Sequence, residues 1–282
     1  MNLLNLLQSV LLISSNDRKS MSISKVITCC TSSPSTTLDP EGPTTRAQRF
    51  SASLPDLSPN FKRLYILRHG MTDWNKRGFV QGSSFDIPLN DEGRSQARYA
   101  AEELSALPIT CVASSHLSRA SKTADEVHSF HPLATRLISK GFVEINYGDL
   151  EGKCIHNDDE ESKRLKNLFD QSSRDMEKDL YARYPGGENA NEVEKRAREA
   201  LRKLMNDRPN DRHLVVVGHG RCNKILLASL LYNDASKISS IEQGNTAISI
   251  VDYDSGDDKW LEVMLNYCAH NEDRGAASGG AY

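Results

Sequence analysis

From Phe61 to about Cys268, short apolar runs alternate with longer segments whose apolar residues recur at helical spacing. The short runs read as buried strands and the longer segments as amphipathic helices. Residues 63–68, carrying Leu64, Tyr65, Ile66 and Leu67, predict a strand, and residues 110–113 and 213–217 predict two more. Residues 90–107 place Ala97, Ala100, Ala101, Leu104 and Leu107 on one helical face, with Asn90 positioned as the cap. Further helices are predicted over 118–130, 158–182, 188–206 and 223–232. Strand signals recur at 134–138 and 142–147, and residues 246–254 and 260–268 alternate apolar with polar positions as terminal strands do. This alternation predicts a three-layer α/β/α fold around a mostly parallel sheet.

The flanks break the pattern. Residues 1–15 are apolar but too short to cross a bilayer, and residues 20–59 are rich in Ser, Thr and Pro. Residues 1–60 are therefore expected to form a disordered extension, with an organellar transit peptide as the alternative. The domain proper is expected at 61–268, with a helical insertion at 153–185 and a disordered tail at 269–282. The cytoplasm is the expected compartment, and a plastid or mitochondrion the alternative if the extension is a targeting signal.

Charge narrows the range of partners. The 35 Lys and Arg nearly balance the 38 Asp and Glu, leaving a net charge of -3. That balance gives no pull toward nucleic acid or an anionic membrane, so neither is expected as a partner. Any anionic ligand has to be held by a local basic cluster. The 6 cysteines form no CxxC pair, which argues against a zinc ribbon or disulfide scaffold, and no cofactor is expected.

Candidate chemistry appears where the apolar strands stop. Residues 63–68 run into His69-Gly70, and residues 213–217 into Gly218-His219-Gly220. Ligands of α/β folds sit beyond the carboxyl ends of the strands, so the two histidines are expected to meet. Thr72, Asn75, Gln81 and Gly82 follow the first histidine, Arg119 follows a strand, and Glu144 lies near a strand end. This set suits a phosphate monoester. Arg68 and Arg119 offer planar forks that match phosphate oxygens and stay charged. A neutral imidazole can attack phosphorus, and a protonated Glu144 can supply the proton that the leaving alkoxide needs. Burial or a bound phosphate is expected to keep that proton on Glu144. Gly70 and Gly220 are expected to let the backbone approach the phosphate.

Two histidines and a glutamate could instead bind zinc. No HExxH motif is present, and two arginines beside the histidines would repel a cation, so no metal is expected. His116, His128, His131, His156, His213 and His270 are expected to be structural or exposed. The acids Asp158 to Glu161 are expected to begin a solvated helix.

Over roughly residues 62–268 these motifs, agreeing in order and spacing, resemble the histidine phosphatase superfamily, or phosphoglycerate mutase-like proteins. The resemblance implies that His69 accepts the phosphoryl group and that Glu144 donates the proton. It implies that Arg68, Arg119 and His219 line the phosphate pocket, that Thr72 and Asn75 add hydrogen bonds to phosphate, and that Gln81 faces the substrate. Asp149-Leu150-Glu151-Gly152 is similar to the phosphatase branch, which often has Trp-Glu-Gly there; Leu150 departs from it. A phosphatase of small phosphorylated metabolites is the expectation. Phosphoglycerate mutase-type transfer is the alternative, and an inactive scaffold a more distant one. Lys153, Lys163, Arg164 and Lys166 in the insertion could grip a second anionic group, although a solvated helix face is the expectation. No oligomeric state is implied.

Overall fold

The computed structural model describes residues 45–276; the expectations for residues 1–44, the transit peptide among them, lie outside the described residues. The strands are β1 (Phe61–Arg68), β2 (Cys111–Ser114), β3 (Thr135–Ile138), β4 (His213–Gly218), β5 (Ile248–Asp254) and β6 (Lys259–Tyr267). They join one sheet in the order β3-β2-β4-β1-β5-β6. The first four in that order run parallel, while β5 and β6 are antiparallel additions.

Both faces of the central strands are apolar. Leu64 and Ile66 of β1 join Leu214 and Val216 of β4 on one face, and Tyr65 and Leu67 join Val215 and Val217 on the other. Each fully buried side chain of this kind is worth about 1.5–3 kcal/mol, which makes the middle of the sheet the anchor of the fold. Helices α1 (Arg46–Ser53), α3 (Asp91–Leu104) and α4 (Ser118–Phe130) pack on the Tyr65 face. Helices α5 (Glu160–Lys178), α6 (Ala190–Asp207) and α7 (Gly220–Tyr232) pack on the Leu64 face. The short α2 (Asp73–Arg77) and α8 (Ala269–Glu272) complete the set. This is the expected three-layer α/β/α arrangement, and α5 lies within residues 153–185.

Three expectations shift. Residues 142–147 do not form a strand. A 3-10 turn at Lys140–Phe142 bends the chain, and the next carbonyls are taken by a side chain instead of a neighbouring strand. Arg196 of α6 donates to Gly141 O at 2.9 Å, Val143 O at 2.7 Å and Glu144 O at 3.1 Å. Helix α7 begins at Gly220, earlier than the apolar pattern suggested, for a reason given below.

The folded body also exceeds 61–268 at both ends. Thr45 and Gln48 form a capping box for α1, whose Phe50 ring lies 4.8 Å from that of Tyr267. At the other end, Asn271 of α8 is buried and donates to Asn245 O at 3.2 Å and Thr246 Oγ1 at 2.9 Å. Thr246 has φ 53°, a left-handed conformation costly for a β-branched residue, so these contacts help to hold a strained turn. No helix among the described residues is long and apolar enough to cross a membrane.

If α8 is a working part of the fold, deleting Ala269 onward should cost about 2–4 kcal/mol, from lost buried hydrogen bonds and uncovered apolar surface. Urea denaturation measures this. An unchanged midpoint would restore the disordered-tail reading.

Candidate active site

The sheet register brings the two histidine motifs together. Arg68 at the end of β1 lies opposite Gly218 at the end of β4, so the next residue on each strand is a histidine. The rings of His69 and His219 have centroids 5.1 Å apart and are tilted by 60°. Both are buried. The backbone of His69 is fixed on two sides: its N–H donates to Gly218 O at 3.1 Å, and its carbonyl accepts from Asn245 Nδ2 at 3.0 Å.

The His69 ring is oriented by its own chain. Nδ1 lies 2.7 Å from Gly70 O. A carbonyl can only accept, so Nδ1 carries the proton and Nε2 keeps a free lone pair. Burial, then the charges of Arg119 and Arg68, holds the imidazole well below the usual histidine range. His219 is lowered in the same way, by burial and then by Arg119.

The two arginines are held by carbonyls. Arg68 Nη1 donates to Gln243 O at 2.8 Å. Arg119, in the first turn of α4, donates from Nη1 to Phe85 O at 3.0 Å and from Nη2 to Gly82 O at 2.9 Å. Burial lowers Arg119 to about 10, with Glu144 and Asp86 opposing the shift. Among the described residues its Nε has no hydrogen-bond partner, and neither do Gln81 Nε2, Arg221 Nε or either ring nitrogen of His219. Open buried N–H groups such as those of Gln81 and Arg221 can serve an acceptor-rich ligand.

Glu144 sits beside the same cavity. Its Oε1 accepts from the N–H groups of Ile145 and Cys222, both at 2.9 Å, and its Oε2 from that of Arg221 at 3.1 Å. Arg221 and Cys222 lie in the first turn of α7, whose N-cap residue His219 makes no side-chain capping bond. Glu144 therefore caps α7 from a distant loop, and this is why the helix can start at Gly220.

The cavity is lined by Arg68, His69, Gln81, Glu144, Gly220 and Arg221, among others, and its free volume is about 20 Å³. Asn75 lines it too, but Thr72, Arg119 and His219 do not. Thr72 is fully buried, and its hydroxyl accepts from Asn75 N at 3.1 Å as the cap of α2. Thr72 thus has a structural role, orienting Asn75. The glycines also differ from expectation. A Cβ on Gly70 would lie 2.3 Å from Gly93 O, and one on Gly82 would lie 2.0 Å from Glu151 Oε1. One on Gly220 would press on Arg68 Nε at 3.3 Å. These positions make room for a helix, a carboxylate and a guanidinium, respectively.

The remaining expectations sort simply. His116 and His156 are exposed, His213 bonds Tyr65 Oη at 3.0 Å, and His270 bonds Thr246 Oγ1 at 3.2 Å. Lys163, Arg164 and Lys166 pair with Asp158, Glu161 and Asp170 on the surface of α5, and Lys153 is exposed. Among the described residues no group of three or more His, Cys, Asp or Glu is placed to hold a metal ion.

Sequence reasoning missed Arg221, Asn245 and Gln243. The last two lie just before β5, which runs antiparallel to β1, so their segment falls at the carboxyl end of β1. That placement is the signal that could have found them.

Comparisons with known proteins agree with this geometry. Residues 64–266 match the model of the histidine phosphatase superfamily (branch 1). A probable phosphoglycerate mutase of Cronobacter sakazakii is 30% identical over 199 residues, covering 71% of this chain and 87% of that protein. Among solved structures, a mycobacterial glucosyl-3-phosphoglycerate phosphatase complexed with VO3 is 28% identical with a TM-score of 0.63, over 73% of this chain and 98% of the other. YhfR of Bacillus stearothermophilus is 27% identical with a TM-score of 0.63, over 74% and 98%. With the match to the family model spanning most of the chain, the protein belongs to branch 1 of the histidine phosphatase superfamily.

Proposed function

We propose that the protein is a metal-independent phosphomonoesterase for small phosphorylated metabolites, working through a phosphohistidine on His69. The observation that carries this reading is the free Nε2 of a neutral, buried imidazole beside guanidinium groups held by carbonyls. The mycobacterial neighbour, described as a phosphatase, supports it.

In the first step the Nε2 lone pair attacks phosphorus and the P–O ester bond breaks, its electron pair leaving with the alcohol oxygen. Arg68, Arg119 and the His219 N–H stabilise the charge that spreads over the equatorial oxygens. Glu144 gives a proton to the leaving oxygen. Three backbone N–H groups fix the orientation of its side chain at the cavity. In the second step Glu144 takes a proton from water, the water oxygen bonds to phosphorus, and the N–P bond breaks to release phosphate.

A second reading, return of the phosphoryl group to the substrate, is favoured by relatives described as probable phosphoglycerate mutases. Conversion of 3- to 2-phosphoglycerate with a bisphosphoglycerate primer, faster than phosphate release, would establish it in place of hydrolysis.

Three outcomes test the hydrolase. The wild type should hydrolyse p-nitrophenyl phosphate, EDTA should leave the rate unchanged, and His69→Ala should abolish it; inhibition by EDTA reversed by a divalent ion would refute the metal-free reading. Glu144→Gln should slow alkyl esters by about 10²–10⁴-fold but p-nitrophenyl phosphate much less, because nitrophenolate leaves without a proton. Equal losses on both esters would remove Glu144 from the proton path. Finally, the lowered basicity of His69 and His219 means that both stay neutral as pH falls through 6.5 and protonate only well below it. Imidazole NMR titration of the ligand-free enzyme checks this, and a midpoint near 6.5 for either ring would contradict it.

A further inference from the structure

Beside the catalytic cavity lies a second one of about 290 Å³, between α5 and α7, lined by Ser173, Arg174, Glu177, Arg221, Lys224 and Ser239, among others. Arg221 and Phe169 border both cavities, so the two are neighbours separated by one guanidinium and one ring. Arg221 is 6% exposed. Its Nη2 donates to Ser173 Oγ at 3.0 Å, its guanidinium also meets the Tyr147 hydroxyl, and its Nε has no hydrogen-bond partner among the described residues. Arg221 has no carboxylate in ion-pairing range among the described residues, unlike Arg63 and Arg196, which face Asp252 at 2.7 Å and Glu188 at 3.0 Å.

Lys224 lies one helical turn further along the same face of α7. It is half-buried and makes no hydrogen bond or ion pair with any described residue. Burial, then the charges of Arg221 and Arg68, pushes it down to about 8, while Glu242 and Glu144 pull it the other way. Of the acids lining this second cavity, Asp170 is paired with Lys166 at 2.8 Å, which leaves Glu177 against Arg174, Arg221 and Lys224. The hollow is basic, with Arg174 of α5 on its wall, while Lys163, Arg164 and Lys166 of α5 are paired with acids of their own segment.

We propose that Arg221 and Lys224 form a second anion subsite, which takes a carboxylate or phosphate carried on the alcohol part of the phosphomonoester. This rests on the hydrolase reading above. Phosphate at His69 would put the ester oxygen next to Arg221, and the alcohol part would run toward Lys224. An anion there would satisfy the open Nε and give Lys224 its missing counter-charge. Residues of α7 would then select substrates, while β1 and β4 supply the chemistry.

Two matched pairs of esters test this. 3-Phosphoglycerate differs from glycerol 3-phosphate by a carboxylate, and glucose 1,6-bisphosphate differs from glucose 6-phosphate by a second phosphate. For at least one pair, the wild type should favour the doubly anionic ester by about 10-fold or more in kcat/KM, the scale of one charge-assisted hydrogen bond. The pair that shows the preference identifies the anion. Lys224→Met and Arg221→Met should each erase most of it, and Lys224→Arg should keep it. Lys224→Met is the decisive variant if Arg221→Met fails to fold. A wild type that hydrolyses p-nitrophenyl phosphate but shows no preference within either pair overturns the subsite alone, as does a preference that survives Lys224→Met. A wild type that hydrolyses none of these esters overturns the subsite and the hydrolase together.

Discussion

Arg119 and Arg221 sit in the interior with no carboxylate in ion-pairing range among the described residues, and backbone carbonyls, or serine and tyrosine hydroxyls, hold them instead. Carbonyl dipoles and hydroxyls orient a guanidinium without cancelling its charge. The field at the cavity therefore stays positive, ready for an anion. Burial of this kind costs several kcal/mol per ion, which a protein tolerates when ligand binding recovers it. The rest of the site follows from the same constraint. The histidines beside these groups are kept neutral, and a neutral imidazole is the form that can attack phosphorus.

Neutrality alone does not make a nucleophile; the lone pair must face the right way. The short contact between Nδ1 and the carbonyl of Gly70 sets the tautomer, and the Asn245 contact sets the backbone that carries the ring. Asn245 is in turn held by Asn271 of the last helix. A chain of neutral hydrogen bonds thus connects the periphery of the fold to His69. Glu144 is fixed with similar economy, since the amides that orient it are those that α7 would otherwise leave open.

Much of this was legible in the sequence because sheet physics is local in pattern. Two apolar runs that stop at a histidine become adjacent parallel strands, and the register of Arg68 against Gly218 does the rest. The capping role of Thr72 was missed because Thr-x-x-Asn supplies the same hydrogen-bonding groups whether it caps a helix or touches a ligand. The strand expected at 142–147 was lost to Arg196, whose reach across the fold no linear pattern encodes. Arg221 hid beside His219, where nothing distinguished a wall of the site from a helix start. The Thr45–Gln48 capping box was readable, but the Ser- and Pro-rich flank obscured it. Helix α8 spans only Ala269–Glu272 and left no periodic signal.

The sheet topology also constrains the order in which the protein can be made. β1 pairs only with β4 and β5, so its hydrogen-bonding edges have no sheet partner until the chain has been synthesised past residue 213. A ribosome would therefore expose the apolar strand leading to His69 through most of translation. Docking it then requires closure of a very long loop, a slow step in folding. A newborn molecule could not bring His69 and His219 together until its carboxyl-terminal third arrived.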